Sequence, residues 1–228
     1  MLARVLEPEV MDQPDEARDY DAMDFAAVNG RFVADFLQVH GAGRGGEVLD
    51  VGTGPGRIAI ALCRADRRCR VLGIDLAGPM LDLGRRNVAD AELADRVRFA
   101  RGDAKNLPFP NGRFEAVMAN TIIHHIPDPA PALAEMVRLV APGGTLFVRD
   151  LARPDDDPAV EALVDQYAGG ESVAARALFR DSLHAGLTLE EVRAIVGSLA
   201  IDPTCVGMTS DRHWTLSWRK PVHSEIPA

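Results

Sequence analysis

The chain has 228 residues, 47% of them hydrophobic and 26% charged, with a formal net charge of -9. That length buries one sizeable core, and the acidic balance excludes a protein held to nucleic acid or an anionic membrane mainly by charge. Cys63, Cys69 and Cys205 are too scattered for a disulfide scaffold and lack zinc spacing, so reduced thiols and no metal site are expected.

Residues 1–20 are polar, acidic and proline-containing and read as an arm with little structure of its own. They hold no apolar h-region, and no later stretch reaches the roughly 20 apolar residues of a membrane span. The cytoplasm is the expected location. From Asp24 onward Phe25, Val28, Phe32, Val33, Phe36 and Leu37 recur at helical spacing. The glycine-rich run from Gly41 to Gly46 ends that helix. Residues 1–40 are therefore expected to form an N-terminal arm and a helix covering the site, and 41–228 the main domain.

An alternation follows. Strands are predicted at Glu47–Val51, Arg70–Ile74, Val97–Arg101, Phe114–Ala119 and Thr145–Arg149. Helices are predicted at Arg57–Arg64 and Pro79–Ala89, and from Asp128-Pro129 to about Val140, where aspartate caps and proline opens the first turn. Pro142-Gly143-Gly144 is expected to turn the chain. Strands joined by helical crossovers give an α/β fold, a parallel sheet with helices on both faces. After Asp150 the alternation breaks into helices near 158–168 and 171–184. Thr188 to Glu191 is a capping box opening a further helix, and strand-like segments near Cys205–Met208 and Trp214–Trp218 close the chain. The helical insert 151–185 is the expected lid. Its Leu163, Tyr167, Leu178, Phe179 and Leu183 suit either an apolar pocket wall or core packing.

"VLDVGTGPGRIAI", Val48 to Ile60, leads from a strand through Gly52, Gly54 and Gly56 into a helix. Such a turn lets the backbone approach a nucleotide-like ligand and tolerates positive φ. A dinucleotide fingerprint would place Gly or Ala where Arg57 stands. Asp75 ends the second strand, where a carboxylate can accept both ribose hydroxyls, and Leu76 and Met80 follow it. "GDAKNLPFP" puts Asp103 and Ala104 after the third strand, Asn120 ends the fourth, and "LVAPGGTLFV" precedes the fifth.

In this order the motifs resemble the class I S-adenosylmethionine (SAM)-dependent methyltransferases over about residues 48–150, in the branch of quinone-biosynthesis C-methyltransferases and natural-product methyltransferases. The resemblance implies a Rossmann-like seven-stranded sheet in the order 3-2-1-4-5-7-6 with its last strand antiparallel. SAM would be the cofactor and S-adenosylhomocysteine the product. Its binding residues would be Asp50, Gly52, Thr53, Gly54, Gly56, Asp75, Leu76, Met80, Asp103, Ala104 and Asn120, with Asp103 on the adenine amine. Tyr20 would lie over the SAM carboxylate end, as an N-terminal tyrosine does in some relatives.

Methyl transfer to oxygen or carbon also needs a proton removed. His124 and His125 follow the fourth strand and Asp150 ends the fifth, so neighbouring strands would bring imidazole and carboxylate together. An aspartate can orient a histidine and stabilise its protonated form. "HHIPD" followed by Asp150 is similar to antibiotic-sugar O-methyltransferases, a match that implies His124 as general base and Asp150 as its orienter. His125, Tyr167 and His184 are candidate substrate contacts. The N-P-P-[YF] motif used on planar amino groups is absent, since Asn120-Thr121-Ile122-Ile123 stands there. The expected activity is methylation of a small molecule, O-methylation ahead of C-methylation of a quinone-like ring. A SAM-binding module without turnover is the third reading. These motifs encode neither the acceptor nor the oligomeric state.

Overall fold

A computed structural model describes residues 2–10, 12–22 and 25–222. Eight α-helices and seven strands follow in chain order among them. They are α1 (Pro14–Ala22), α2 (Ala26–His40), β1 (Gly46–Val51), α3 (Arg57–Ala65), β2 (Cys69–Asp75), α4 (Gly78–Asp90), β3 (Val97–Arg101), β4 (Phe114–Asn120), α5 (Ala130–Leu139), β5 (Val140–Leu151), α6 (Asp157–Ala168), α7 (Val173–Ala185), α8 (Leu189–Ser198), β6 (Val206–Met208) and β7 (His213–Arg219). The strands form one sheet in the order β3-β2-β1-β4-β5-β7-β6, as expected. β1 pairs in parallel with β2 and β4, β2 pairs in parallel with β3, and β6 is antiparallel to β7. Among the described residues no helix is long and apolar enough to cross a membrane.

Two compact units divide the chain. One comprises Met1–Glu9, Thr121–Ala130 and Arg149–Leu216, and the other Val10–Asn120, Pro131–Val148 and Ser217–Ala228. We call them the C-terminal and N-terminal units. In the N-terminal unit, β1 is buried without alternation from Val48 to Val51, as in a strand covered on both faces, with Asp50 its one polar residue there. α3 turns Ala59, Ile60, Leu62 and Cys63 inward, where they meet Phe32, Phe36 and Phe147. His40 is a satisfied core histidine, its ring bridging the Gly45 carbonyl (3.0 Å) and Thr145 Oγ1 (3.2 Å). Cys63 and Cys69 are buried free thiols, pushed up by burial to about 11 and about 12.

Two local expectations change. The arm is not structureless, because Pro14–Ala22 forms α1. Among its described side chains only Ala17 is fully buried, too little apolar periodicity to read, and the helix is fixed instead by Asp21, which accepts a two-pronged bond from Arg57 (2.7 and 2.8 Å). Nor does Pro142-Gly143-Gly144 end an element. Gly143 takes φ +73° inside β5, and residues 143 and 144 still exchange backbone bonds with Lys220.

In the C-terminal unit, α6 and α7 pack Val160, Val164 and Leu183 on Leu151, with Leu163 and Phe179 partly buried against them. These insert side chains therefore do core work, whereas Tyr167 (40%) and Leu178 are exposed. The Thr188–Glu191 capping box forms as the sequence indicates. Arg153 ties α8 down through Glu191 (2.7 Å) and the Gly186 carbonyl (2.8 Å).

Candidate active site

The first cluster lies in the N-terminal unit, where β1 and β2 end. Gly52, Gly54 and Gly56 all take positive φ, +70°, +52° and +74°, a conformation glycine adopts without steric penalty. At Gly56 a Cβ would stand 2.6 Å from Phe99 Cζ, so packing alone demands glycine there. At Gly54 nothing lies within 4 Å of the added atom. The loop backbone thus faces open space at that residue, with room for a ligand.

Asp75 fixes the loop. Its carboxylate accepts the Gly54 N–H (2.9 Å) and the Ala77 N–H (2.9 Å). Burial raises its pKa, opposed by the N–H groups of Ala77, Gly54 and Leu76. Each oxygen retains lone-pair capacity for a ligand hydroxyl. Asp50 is buried and accepts the Thr53 hydroxyl (2.7 Å). Burial, opposed by that hydrogen bond, raises its pKa to about 7. Tyr20 packs with Met80 and Ala77, so α1 does bring this tyrosine to the start of α4. Asp103 accepts the Lys105 N–H (2.9 Å) and pairs with its ammonium (3.0 Å). Burial raises its pKa, and the bonds from Lys105 outweigh that and hold it below the usual range. Ala104 is buried, while Leu76 and Asn120 are half-buried at the ends of β2 and β4.

The second cluster lies in the C-terminal unit. Thr121 holds a positive φ of 52°, a strained state for a β-branched residue costing about 1–3 kcal/mol. The turn it starts presents the N–H groups of Ile123 (2.5 Å) and His124 (3.2 Å) to Asp150 Oδ2. Asp150 Oδ1 accepts the Leu151 N–H (2.6 Å) and His124 Nδ1–H (2.5 Å). Asp150 is 0% exposed and His124 3%. The predicted pair therefore forms, with its carboxylate saturated by backbone donors.

His124 has a second carboxylate neighbour that the sequence did not reveal. Glu7 Oε1 lies 3.2 Å from His124 Nε2 and 3.1 Å from His125 Nδ1, and Ser182 Oγ donates to both Glu7 oxygens (3.3 Å each). Burial disfavours a charged His124, but Asp150 and Glu7 outweigh it and raise its pKa from 6.5 to about 9. His124 is thus an imidazolium with an N–H at each carboxylate. Burial and the neighbouring imidazolium lower the pKa of His125, and His124 holds the Asp150 and Glu7 carboxyls low despite their burial. Glu7, His124 and His125 present ligand atoms within 4.8 Å of one another, a spacing that could hold a metal ion.

Arg4 anchors this segment by donating to the backbone oxygens of Ala185 (2.7 Å), Ile126 (2.9 Å), Pro127 (3.0 Å) and His124 (3.1 Å). Arg4, Glu7 and Ser182 escaped the sequence reading because their partners lie more than a hundred residues away and no periodicity marks them. The other two substrate candidates stand differently. The Tyr167 hydroxyl is bound to Asp211 (2.7 Å) beneath the Arg212 guanidinium. His184 accepts the Val5 N–H at its carbonyl, and its ring is 3.8 Å from Asp157.

The charge pattern has a measurable consequence. A histidine whose folded pKa is raised adds stability that is fully present below about pH 6.5 and is lost as pH rises through about 9. The unfolding free energy should therefore fall by ~2–3 kcal/mol across that window. Glu7, Asp150, His125 and Arg4 face the ring and do not change charge there. Glu7→Gln should flatten this limb in urea titrations at stepped pH. A flat profile in the unaltered chain would remove the doubly bonded imidazolium.

Comparison with known proteins bears on both clusters. Residues 48–144 match a family model described as a methyltransferase domain. A demethylmenaquinone methyltransferase of Lactiplantibacillus plantarum is 36% identical over 119 residues, covering 52% of this chain and 50% of that protein. One of Thermus thermophilus is 39% identical over 107 residues, 47% and 48% of the two chains. The chain thus spans about half the length of these curated relatives. Among solved structures, a SAM-dependent methyltransferase from Aquifex aeolicus aligns with TM-score 0.67 at 18% identity over 91% of this chain and 98% of that one. A phosphoethanolamine N-methyltransferase of Haemonchus contortus in complex with SAM aligns with TM-score 0.58 at 21% identity, over 74% and 36%. At those identities the two structures speak to the fold alone.

Proposed function

We propose that this chain carries a class I SAM-dependent methyltransferase domain, a reading supported by the methyltransferase-domain match over residues 48–144, and that it methylates an oxygen of a small-molecule acceptor. The observation that carries it is the buried Asp150–His124 pair at 2.5 Å, an imidazole oriented by a carboxylate as general-base chemistry requires.

The residues around the glycine loop fit the methyl donor. Gly54 faces open space, Asp75 offers lone pairs for ribose hydroxyls, and Met80 and Ala104 supply buried apolar surface for an adenine. Asp103 would take the adenine amine, and Tyr20, beside Met80, the amino-acid end. SAM supplies a methyl on a positively charged sulfur: the bond from acceptor oxygen to methyl carbon forms as carbon–sulfur breaks, with the electron pair staying on sulfur. The chain's own task is proximity and the proton. His124 takes the acceptor hydroxyl's proton at Nε2, the nitrogen Glu7 covers, and Asp150 steadies the imidazolium. Withdrawal of Glu7 removes one of the two carboxylates that hold His124 protonated and moves it toward the range of a working base.

The names of the curated relatives favour a second reading, C-methylation of a quinone-like ring. There the ring hydroxyl gives up its proton, the adjacent carbon takes the methyl group, and that carbon then loses its hydrogen as a proton, which restores the aromatic ring. Incubating the chain with methyl-labelled SAM and a metabolite extract separates the two. A label on acceptor oxygen, as a methyl ether or ester, is the expected product, and a methyl on ring carbon replaces the first reading with the second. SAM binding with no labelled product would leave a binding module and contradict both.

A further inference from the structure

We infer that Glu7 is an internal stand-in for the acceptor: the seat its carboxylate takes between His124 Nε2, His125 Nδ1 and Ser182 Oγ binds the acceptor's acidic oxygen as an oxyanion. This extends the proposed function from a small molecule to one bearing a phenol- or carboxyl-type oxygen, which passes its proton to His124 Nε2 and stays in the seat as the anion, and it rests on that reading.

The seat is built for negative charge. Ser182 Oγ reaches both Glu7 oxygens at 3.3 Å, and His124 Nε2 stands 3.2 Å from one of them. Behind the imidazole, Asp150 already accepts three backbone N–H groups and Nδ1–H, so its charge is matched within the fold. The Arg4 guanidinium adds positive charge, with its N–H groups spent on carbonyls of the same turn. Hydrogen bonds to ionised groups are about twice as strong as neutral ones, so an oxyanion is preferred here to a neutral hydroxyl.

Glu7 fills the seat imperfectly. His125 Nδ1 is buried and has no aligned hydrogen-bond partner among the described residues, although Glu7 Oε1 is 3.1 Å away. A buried polar atom left so is unfavourable, and a ligand oxygen placed slightly differently would satisfy it. The segment does not depend on Glu7 for its anchorage. Arg4 makes four carbonyl bonds, Val5 N–H donates to the His184 carbonyl (3.1 Å), and Leu2 packs on the α6–α7 cluster. The exchange therefore needs only the Glu7 side chain to swing out, with the strap left in place.

The test uses the full chain and two probes, 4-nitrophenolate, whose visible band reports its ionisation, and benzoate. Glu7→Ala should bind at least one of them about tenfold or more tighter than the unaltered chain, and 4-nitrophenol should be held in its ionised form below its solution pKa. Preference between the probes assigns phenolate- or carboxylate-type acceptors. Adding His124→Asn should abolish the gain. Glu7→Gln, which keeps the side-chain volume, should show the same direction of change and stands in if the alanine variant fails to fold. The inference is overturned if neither Glu7 variant gains affinity while SAM binding stays intact, if the phenol binds neutral, or if a chelator removes the gain, which would point to a metal held by Glu7, His124 and His125. Loss of SAM binding by the unaltered chain would instead overturn the proposed function.

Discussion

Replacing His124 with alanine lowers turnover by about 10²–10⁴-fold, the usual worth of a positioned acid–base group, while SAM affinity stays within about twofold. The split follows from where the side chain's contacts lie. His124 bonds to Asp150 and Glu7, both in the C-terminal unit, and the residues assigned to SAM are all in the N-terminal unit. Asp150→Asn should share part of the loss, because an amide cannot accept Nδ1–H at one oxygen and two backbone N–H groups at the other with its geometry unchanged. Alanine also leaves a cavity and an uncompensated buried Asp150, so the unfolding midpoint must be read beside the rate, and His124→Gln, closer in volume, separates chemistry from folding. Turnover that survives in folded variants would remove His124 from the chemistry and favour an acceptor that needs no base.

Asp75→Ala weakens SAM binding by about 1.5–3 kcal/mol, the range for hydrogen bonds to a charged group. Part of that loss comes from the loop itself. The Asp75 carboxylate holds the Gly54 and Ala77 N–H groups, so alanine would free the glycine loop as well as removing the proposed acceptor of the ribose hydroxyls. Asp75→Asn should recover some of the affinity, since one amide oxygen can still hold one of those N–H groups. Calorimetric titration measures both variants, and unchanged affinity would take Asp75 out of the donor site.

How much of this was legible in the sequence divides along range. The glycine loop and Asp75 rest on local patterns: an apolar strand broken only by Asp50 for β1, alternating strands and helices, and glycines whose positive φ a close backbone turn demands; the strand order came from the family resemblance. Asp150 and His124 were legible because each ends or follows a strand, and parallel neighbours bring such ends together. Glu7 was not. It sits in a polar arm without periodicity, and its partners His124, His125 and Ser182 come to it only through the tertiary fold. α1 was missed because its anchor is the Asp21–Arg57 ion pair rather than an apolar stripe. The insert side chains Leu163, Phe179 and Leu183 read equally as pocket wall or core, and burial against Leu151, Val160 and Val164 gives them the core role.

Calorimetric titration of the unaltered chain with SAM, S-adenosylhomocysteine and NAD tests the central claim most directly. The first two should bind with dissociation constants of about 1 μM, or roughly 8 kcal/mol, and NAD should give no heat of binding. NAD binding in the absence of SAM binding would contradict a SAM site at the glycine loop.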